Sequence, residues 1–132
     1  MDVNEVSARV IAAAIEVHRH LGPGLLESAY EEALAHELTL GGVAFARQSE
    51  IAAFYKGQRL SVPYRADLIV AGSVVVELKA IEQLARVHGS QVLTYLRLSG
   101  LTLGLLINFN VPLLRSGIQR VVNNAPNLPR SP

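Results

Sequence analysis

The chain has no cysteine. That excludes disulfides, thiolate metal sites and a cysteine nucleophile, and it fits the reducing cytoplasm. It also lacks an excess of either charge: twelve basic and eleven acidic side chains leave a formal +1. No global electrostatic footprint for nucleic acid exists, so any such contact must come from a local patch. There is no apolar run long enough and free enough of charge to span a membrane. The opening "MDVNEVSARVIAAAIEVHRH" carries acids near its start and charges within its apolar stretch, unlike a signal peptide. A soluble cytoplasmic protein is expected. No internal repeat is present, and nothing marks a second domain.

What is present is a large apolar share. Half of the 132 residues are hydrophobic, enough to build a core and too many for intrinsic disorder. Val6, Val10, Ala14, Val17 and Leu21 recur at helical spacing, and the "GPG" of Gly22–Gly24 ends that helix. A second helix is expected in "LLESAYEEALAHELTL", stopped by Gly41-Gly42. The period then changes to two. "SEIAAFYKG", "QRLSVPYR", "ADLIVAG" and "SVVVELKA" predict successive short strands with turns at Lys56-Gly57 and Ala71-Gly72. A third helix is expected over "EQLARVHGSQVLTYLRLSG", a buried strand in "LTLGLLINF" and an edge strand in "GIQRVVN". This order predicts an α/β or α+β sandwich with helices covering a mixed sheet. One domain over residues 1–122 is expected, with a flexible tail at 123–132.

Within "SVVVELKA" two charges, Glu77 and Lys79, follow three valines. Buried charge is costly unless paired or bound to a metal. Strand alternation puts Arg65, Asp67 and Ile69 on one face, and Val75, Glu77 and Lys79 on one face of the next strand. The opposite faces, Leu68 and Val70 with Val74, Val76 and Leu78, are apolar. A three-residue loop over 71–73 sets Asp67 opposite Glu77. A loop over 70–72 leaves the two diagonal on one face, and a loop of even length separates them. Two carboxylates brought together repel, and a hard divalent cation with oxygen ligands, Mg²⁺ or Mn²⁺, removes the conflict. The competing account is a solvated strand end with Asp67 paired to Arg65.

Glu27, Tyr30 and Glu31 share one helix face, as do His88, Gln91 and Tyr95. A histidine-based zinc site does not fit. His18 and His20 diverge on their helix, and His36 and His88 have no ligand pattern around them.

The segment "GLLESAY", Gly24 to Tyr30, matches G-x-x-E-x-x-Y and resembles the motif of the GxxExxY proteins, which are placed in the PD-(D/E)xK nuclease superfamily. "YRADLIVAGSVVVELKA" and "HGSQVLTYLRLSGLTLGLLINFN" resemble their next two blocks, with Ala66 where a proline usually precedes the first aspartate. The resemblance implies an α/β, restriction-endonuclease-like core with a central mixed sheet flanked by helices. It implies Mg²⁺- or Mn²⁺-dependent hydrolysis of phosphodiesters in DNA or RNA, with Asp67, Glu77, Lys79 and Glu27 as catalytic residues. Asp67, Glu77, Glu27 and the Leu78 carbonyl would hold the metal. Gln91, Tyr95, Tyr30, His88 and Arg65 would contact substrate or support the ligands, and Lys56, Arg59 and Arg86 are candidate phosphate contacts. Nucleic acid is the expected partner, with no membrane, and the resemblance is compatible with a homodimer. The alternative is a non-catalytic module that keeps the fold to bind nucleic acid or protein.

Overall fold

A computed structural model of the chain describes residues 1–124. The first helix, α1 (Val3–Leu21), is capped by the Asp2 side chain, which accepts the Glu5 N–H at 2.9 Å, and it stops at Gly22, where φ is 67°. The second, α2 (Glu27–Leu40), follows a five-residue loop. The remaining elements are β1 (Phe45–Ile51), β2 (Phe54–Tyr55), β3 (Gln58–Arg59), β4 (Tyr64–Val70), β5 (Val74–Lys79), α3 (Arg86–Ser99), β6 (Leu103–Asn108), a 3₁₀ turn (Leu114–Gly117) and β7 (Ile118–Val122). Among the described residues no helix is long and apolar enough to cross a membrane.

Five strands form one sheet in the order β1-β4-β5-β6-β7. Only β5 and β6 run parallel, and α3 makes the crossover that a parallel pair requires. Leu68, Val70, Val74, Val76 and Leu78 pack on one face with Val6 and Val10 of α1 and Leu34 and Leu38 of α2. The other face, with Val75 and Leu106, is covered by Val92, Tyr95 and Leu96 of α3. The expected layered α/β architecture is present.

Two expectations need adjustment. The region 49–65 does not supply two full strands to the sheet. Instead β2 and β3 form a small separate hairpin, because Tyr55, Gln58, Arg59, Leu60 and Val62 are exposed and offer no face to bury. And α3 begins at Arg86 rather than near Glu82. The segment before it is held away from helical geometry: the Asn108 side chain accepts the Ile81 N–H at 3.1 Å and donates to the Ile81 carbonyl at 2.9 Å. At the other end, Asn123 is buried, and its N–H donates to the Thr102 carbonyl at 2.8 Å. Of the expected tail at 123–132, residues 125–132 lie outside the described residues.

Candidate metal centre and active site

The β4–β5 hairpin turns through Ala71-Gly72, both at positive φ, and pairs Val70 with Val74, Ile69 with Val75 and Leu68 with Val76. Continuing that register sets Asp67 across from Glu77. There the regular ladder stops and side chains take over its hydrogen bonds. The Glu77 carboxylate accepts the Asp67 N–H at 2.8 Å, and the Asp67 carboxylate accepts the Leu78 N–H at 2.8 Å. The two acids are therefore interlocked in the gap where the strands part.

The parting coincides with an irregularity on the other side of β4. Pairing of β1 with β4 passes from Arg47–Leu68 to Ser49–Ala66, and Gln48 between them has φ of 49°. The kink breaks the alternation of β4. Leu68 packs under α1 and α2, whereas Ala66, two residues away, packs under α3. Asp67 sits at that change of face.

Burial sets the electrostatics. Glu77 is only 5% exposed, and loss of water, followed by the nearby Asp67 charge, pushes its carboxyl up to about 7. Burial also raises Asp67, with the Leu78 N–H and the Gln48 amide partly opposing it. Lys79 lies close enough for its charge to offset part of the rise at both acids. It makes no ion pair among the described residues, and neither does Arg65, so the ion pair between Asp67 and Arg65 does not form.

Glu27, at the start of α2, reaches the same end of β5: its Oε2 accepts the Ala80 N–H at 3.2 Å, and its charge contributes to the rise at Glu77. Tyr30 acts on the backbone instead. Its hydroxyl donates to the Gly22 carbonyl and accepts the Leu25 N–H at 3.2 Å, while its ring stacks on Phe109 at 4.3 Å, bracing the loop that delivers Glu27. Gln91 donates to the Tyr95 hydroxyl at 3.0 Å. Tyr95 is near enough that burial, with the Glu77 charge second, raises its phenol. His88 is used locally: its Nδ1 accepts the Ala85 N–H at 2.8 Å and closes the start of α3.

Two supporting residues were not singled out as site residues from the sequence. Glu31, 8% exposed, accepts from Arg47 at 3.0 Å and from Gln48 at 2.7 Å, and the same Gln48 amide stands 3.2 Å from Asp67 Oδ1. The position of Glu31 on the face of Glu27 and Tyr30 is the only sequence signal for this chain of contacts. Gln48 had none.

The donor set is all oxygen, which suits a hard divalent cation. Glu77 Oε2 accepts no hydrogen bond among the described residues, and no fully buried side-chain nitrogen or oxygen there lacks a partner, so this oxygen retains access to solvent; Glu27 is an exposed residue. Among the described residues, no three acidic or histidine side chains form a complete ligand cluster on their own. A cation here would draw on the Asp67–Glu77 pair, with main-chain and water oxygens and the nearby Glu27 to complete the set. The site is also open. A hollow of about 410 Å³, lined by Leu25, Leu26, Glu27, Ser28 and Ala80, reaches it through Glu27.

The fold is that of an α/β protein with two interlocked acids where a pair of strands parts. The family model of the PD-(D/E)XK nuclease superfamily matches residues 4–121, and the chain belongs to that superfamily, with its restriction-endonuclease-like fold. Comparison with characterised proteins and with solved structures found no match.

Proposed function

We propose that the protein is a Mg²⁺- or Mn²⁺-dependent phosphodiester hydrolase acting on nucleic acid, of the GxxExxY type within its superfamily. The observation that carries this reading is the interlocked Asp67–Glu77 pair, held at elevated pKa beside an unpaired Lys79. Among the described residues no salt bridge reaches either acid. Evolution of a stable strand pair alone would have placed apolar residues there, as it did three rungs away.

Asp67, Glu77 and the Leu78 carbonyl would hold the cation, with Glu27 reaching it directly or through water. Bound there, the ion supplies Lewis acidity and counter-charge for attack of water on phosphorus. Lys79 orients the attacking water and stabilises negative charge growing on the phosphate. Gln48, itself held by Glu31, fixes the Asp67 rotamer. Gln91 and Tyr95 present a hydrogen-bonded pair on the α3 side that positions substrate or ligands. The rival reading, a binding module without hydrolysis, draws on the incomplete acidic cluster.

Calorimetry with Mn²⁺ and Mg²⁺ on wild type, Asp67→Ala and Glu77→Ala, alongside cleavage assays on single- and double-stranded DNA and RNA, separates the two. The hydrolase reading expects binding lost in both variants and cleavage reduced at least ~10³-fold. Wild-type binding to nucleic acid without cleavage under either metal would select the module.

A further inference from the structure

The β2–β3 hairpin takes no part in the main sheet, yet it leaves that sheet at a specific place. β1 and β4 pair as far as Ile51–Tyr64, and residues 52–63 continue beyond. Tyr64 is three residues from Asp67, roughly 10 Å along the strand. Because β4 and β5 are antiparallel, this end of β4 lies alongside Glu77 and Lys79. The arm therefore projects from the carboxylate end of the sheet. Its base is fastened beside the site by the edge contact of Tyr64 with Tyr95, 6.2 Å between centroids, and its stem is prolonged by a bond from the Leu60 N–H to the Ala53 carbonyl at 2.9 Å.

The arm differs in charge from the rest of the chain. Residues 52–63 hold Lys56 and Arg59 and none of the eleven acids, which leaves a net charge of −1 on everything else; Arg65 stands at the base of the arm in β4, across from Glu50. All three cations are exposed. The tip is a tight turn with positive φ at both Lys56 and Gly57, the twist that suits a two-residue hairpin loop. Lys56 Nζ lies 5.5 Å from the Tyr55 ring centroid, and that ring is 61% exposed. A bare aromatic flanked by cations on a stiff support is a platform for an unpaired base and its phosphates. Three cations are too few for a duplex binder that neutralises about six to ten phosphates.

Resting on the hydrolase reading of the carboxylate site, we infer that the β2–β3 arm is a single-strand clamp. Tyr55 stacks on an unpaired base while Lys56, Arg59 and Arg65 hold adjacent phosphates, leading the strand to Asp67 and Glu77. The chemistry recognised is a phosphodiester backbone with unpaired bases, from DNA or RNA.

The test is fluorescence anisotropy in EDTA, where catalysis plays no part, using fluorescein-labelled oligo-dT, oligo-U and duplex probes of ~20 nucleotides. The variants are Tyr55→Ala and the double change Lys56→Asn with Arg59→Gln, asparagine being chosen because it tolerates positive φ. Unchanged thermal unfolding shows that the exposed arm substitutions leave the fold intact. Loss of two phosphate contacts is expected to weaken single-strand binding about ten-fold and to flatten the salt slope by about 1.4. Tyr55→Ala is expected to weaken single-strand binding about ten-fold and duplex binding far less. Wild-type affinity for single strands in either variant overturns the clamp, and so does an equal loss on duplex and single strand in Tyr55→Ala. Relative affinity for oligo-dT and oligo-U identifies which nucleic acid supplies the strand. Arm-dependent binding by a protein that never cleaves keeps the clamp and rejects the hydrolase. Cleavage with arm-independent binding does the reverse.

Discussion

The two ends of the β4–β5 pair are built from the same two strands by opposite rules. At the turn end, Leu68, Val70, Val74 and Val76 are fully buried, and the backbone closes a regular ladder. At the far end, one rung later, the ladder gives way and carboxylates accept the N–H groups. Both rules give backbone N–H groups an acceptor, the side chains taking over at Asp67 and Leu78. What the split loses is favourable burial, because a carboxylate replaces a methyl-rich side chain. The closed end supplies the stability that lets the open end keep two acids at a distance they would otherwise avoid.

Truncation at the closed end tests that division most severely. Leu68→Ala removes a fully buried side chain adjacent to Asp67 and should cost about 3 kcal/mol, seen as a lowered midpoint in urea at unchanged m-value. A loss under ~1 kcal/mol would mean that the closed end is not where stability resides.

The open end should respond in the opposite direction. Glu77 has a folded pKa of about 7 against an ordinary 4.5. The folded state thus holds this proton more tightly than the unfolded chain. Its contribution to stability is fully present below pH 4.5 and is lost as pH rises through 7. Glu77→Gln cannot titrate, and its amide oxygen can still accept the Asp67 N–H. In EDTA the variant should gain on wild type between pH 4.5 and 8 by on the order of 2 kcal/mol; in separate assays with Mn²⁺ its cleavage should disappear. Equal differences at both pH values in urea titrations would show that Glu77 is not strained as described.

The smallest effect is expected at Gln48, which touches Asp67 from outside the pair. Gln48→Gly removes the amide yet accepts the positive φ, so stability should change by under ~1 kcal/mol. Cleavage should fall several-fold through loss of Asp67 positioning. An unaffected rate would leave Gln48 a purely local strut.

Much of this was legible beforehand because it is periodic. The helices of 3–21 and 27–40, the strands "ADLIV" and "VVVELK", and the apolar face they share follow from spacing alone. The 71–73 loop was one of several admissible turns, and the Val70–Val74 rung shows which the chain adopts. Alternation over 49–65 predicts extended backbone and the turn at Lys56-Gly57, and the 54–59 hairpin has both; what alternation does not say is that β2 and β3 pair only with each other. The early start assigned to α3 had a similar cause: nothing local announces that Asn108, distant in sequence, captures Ile81.

Sequence by itself determined the repeating order of apolar and polar residues, and with it the elements, the layers and the set of acids available for chemistry. Only the tertiary structure decided that Asp67 and Glu77 exchange hydrogen bonds with one another's strand, that Glu31 and Gln48 stand behind Asp67, and that a basic arm leaves the sheet beside them. The reason is physical: periodicity records which side of an element is buried, whereas a site depends on register, kinks and loop exits, which are fixed only when separate elements compete for the same space.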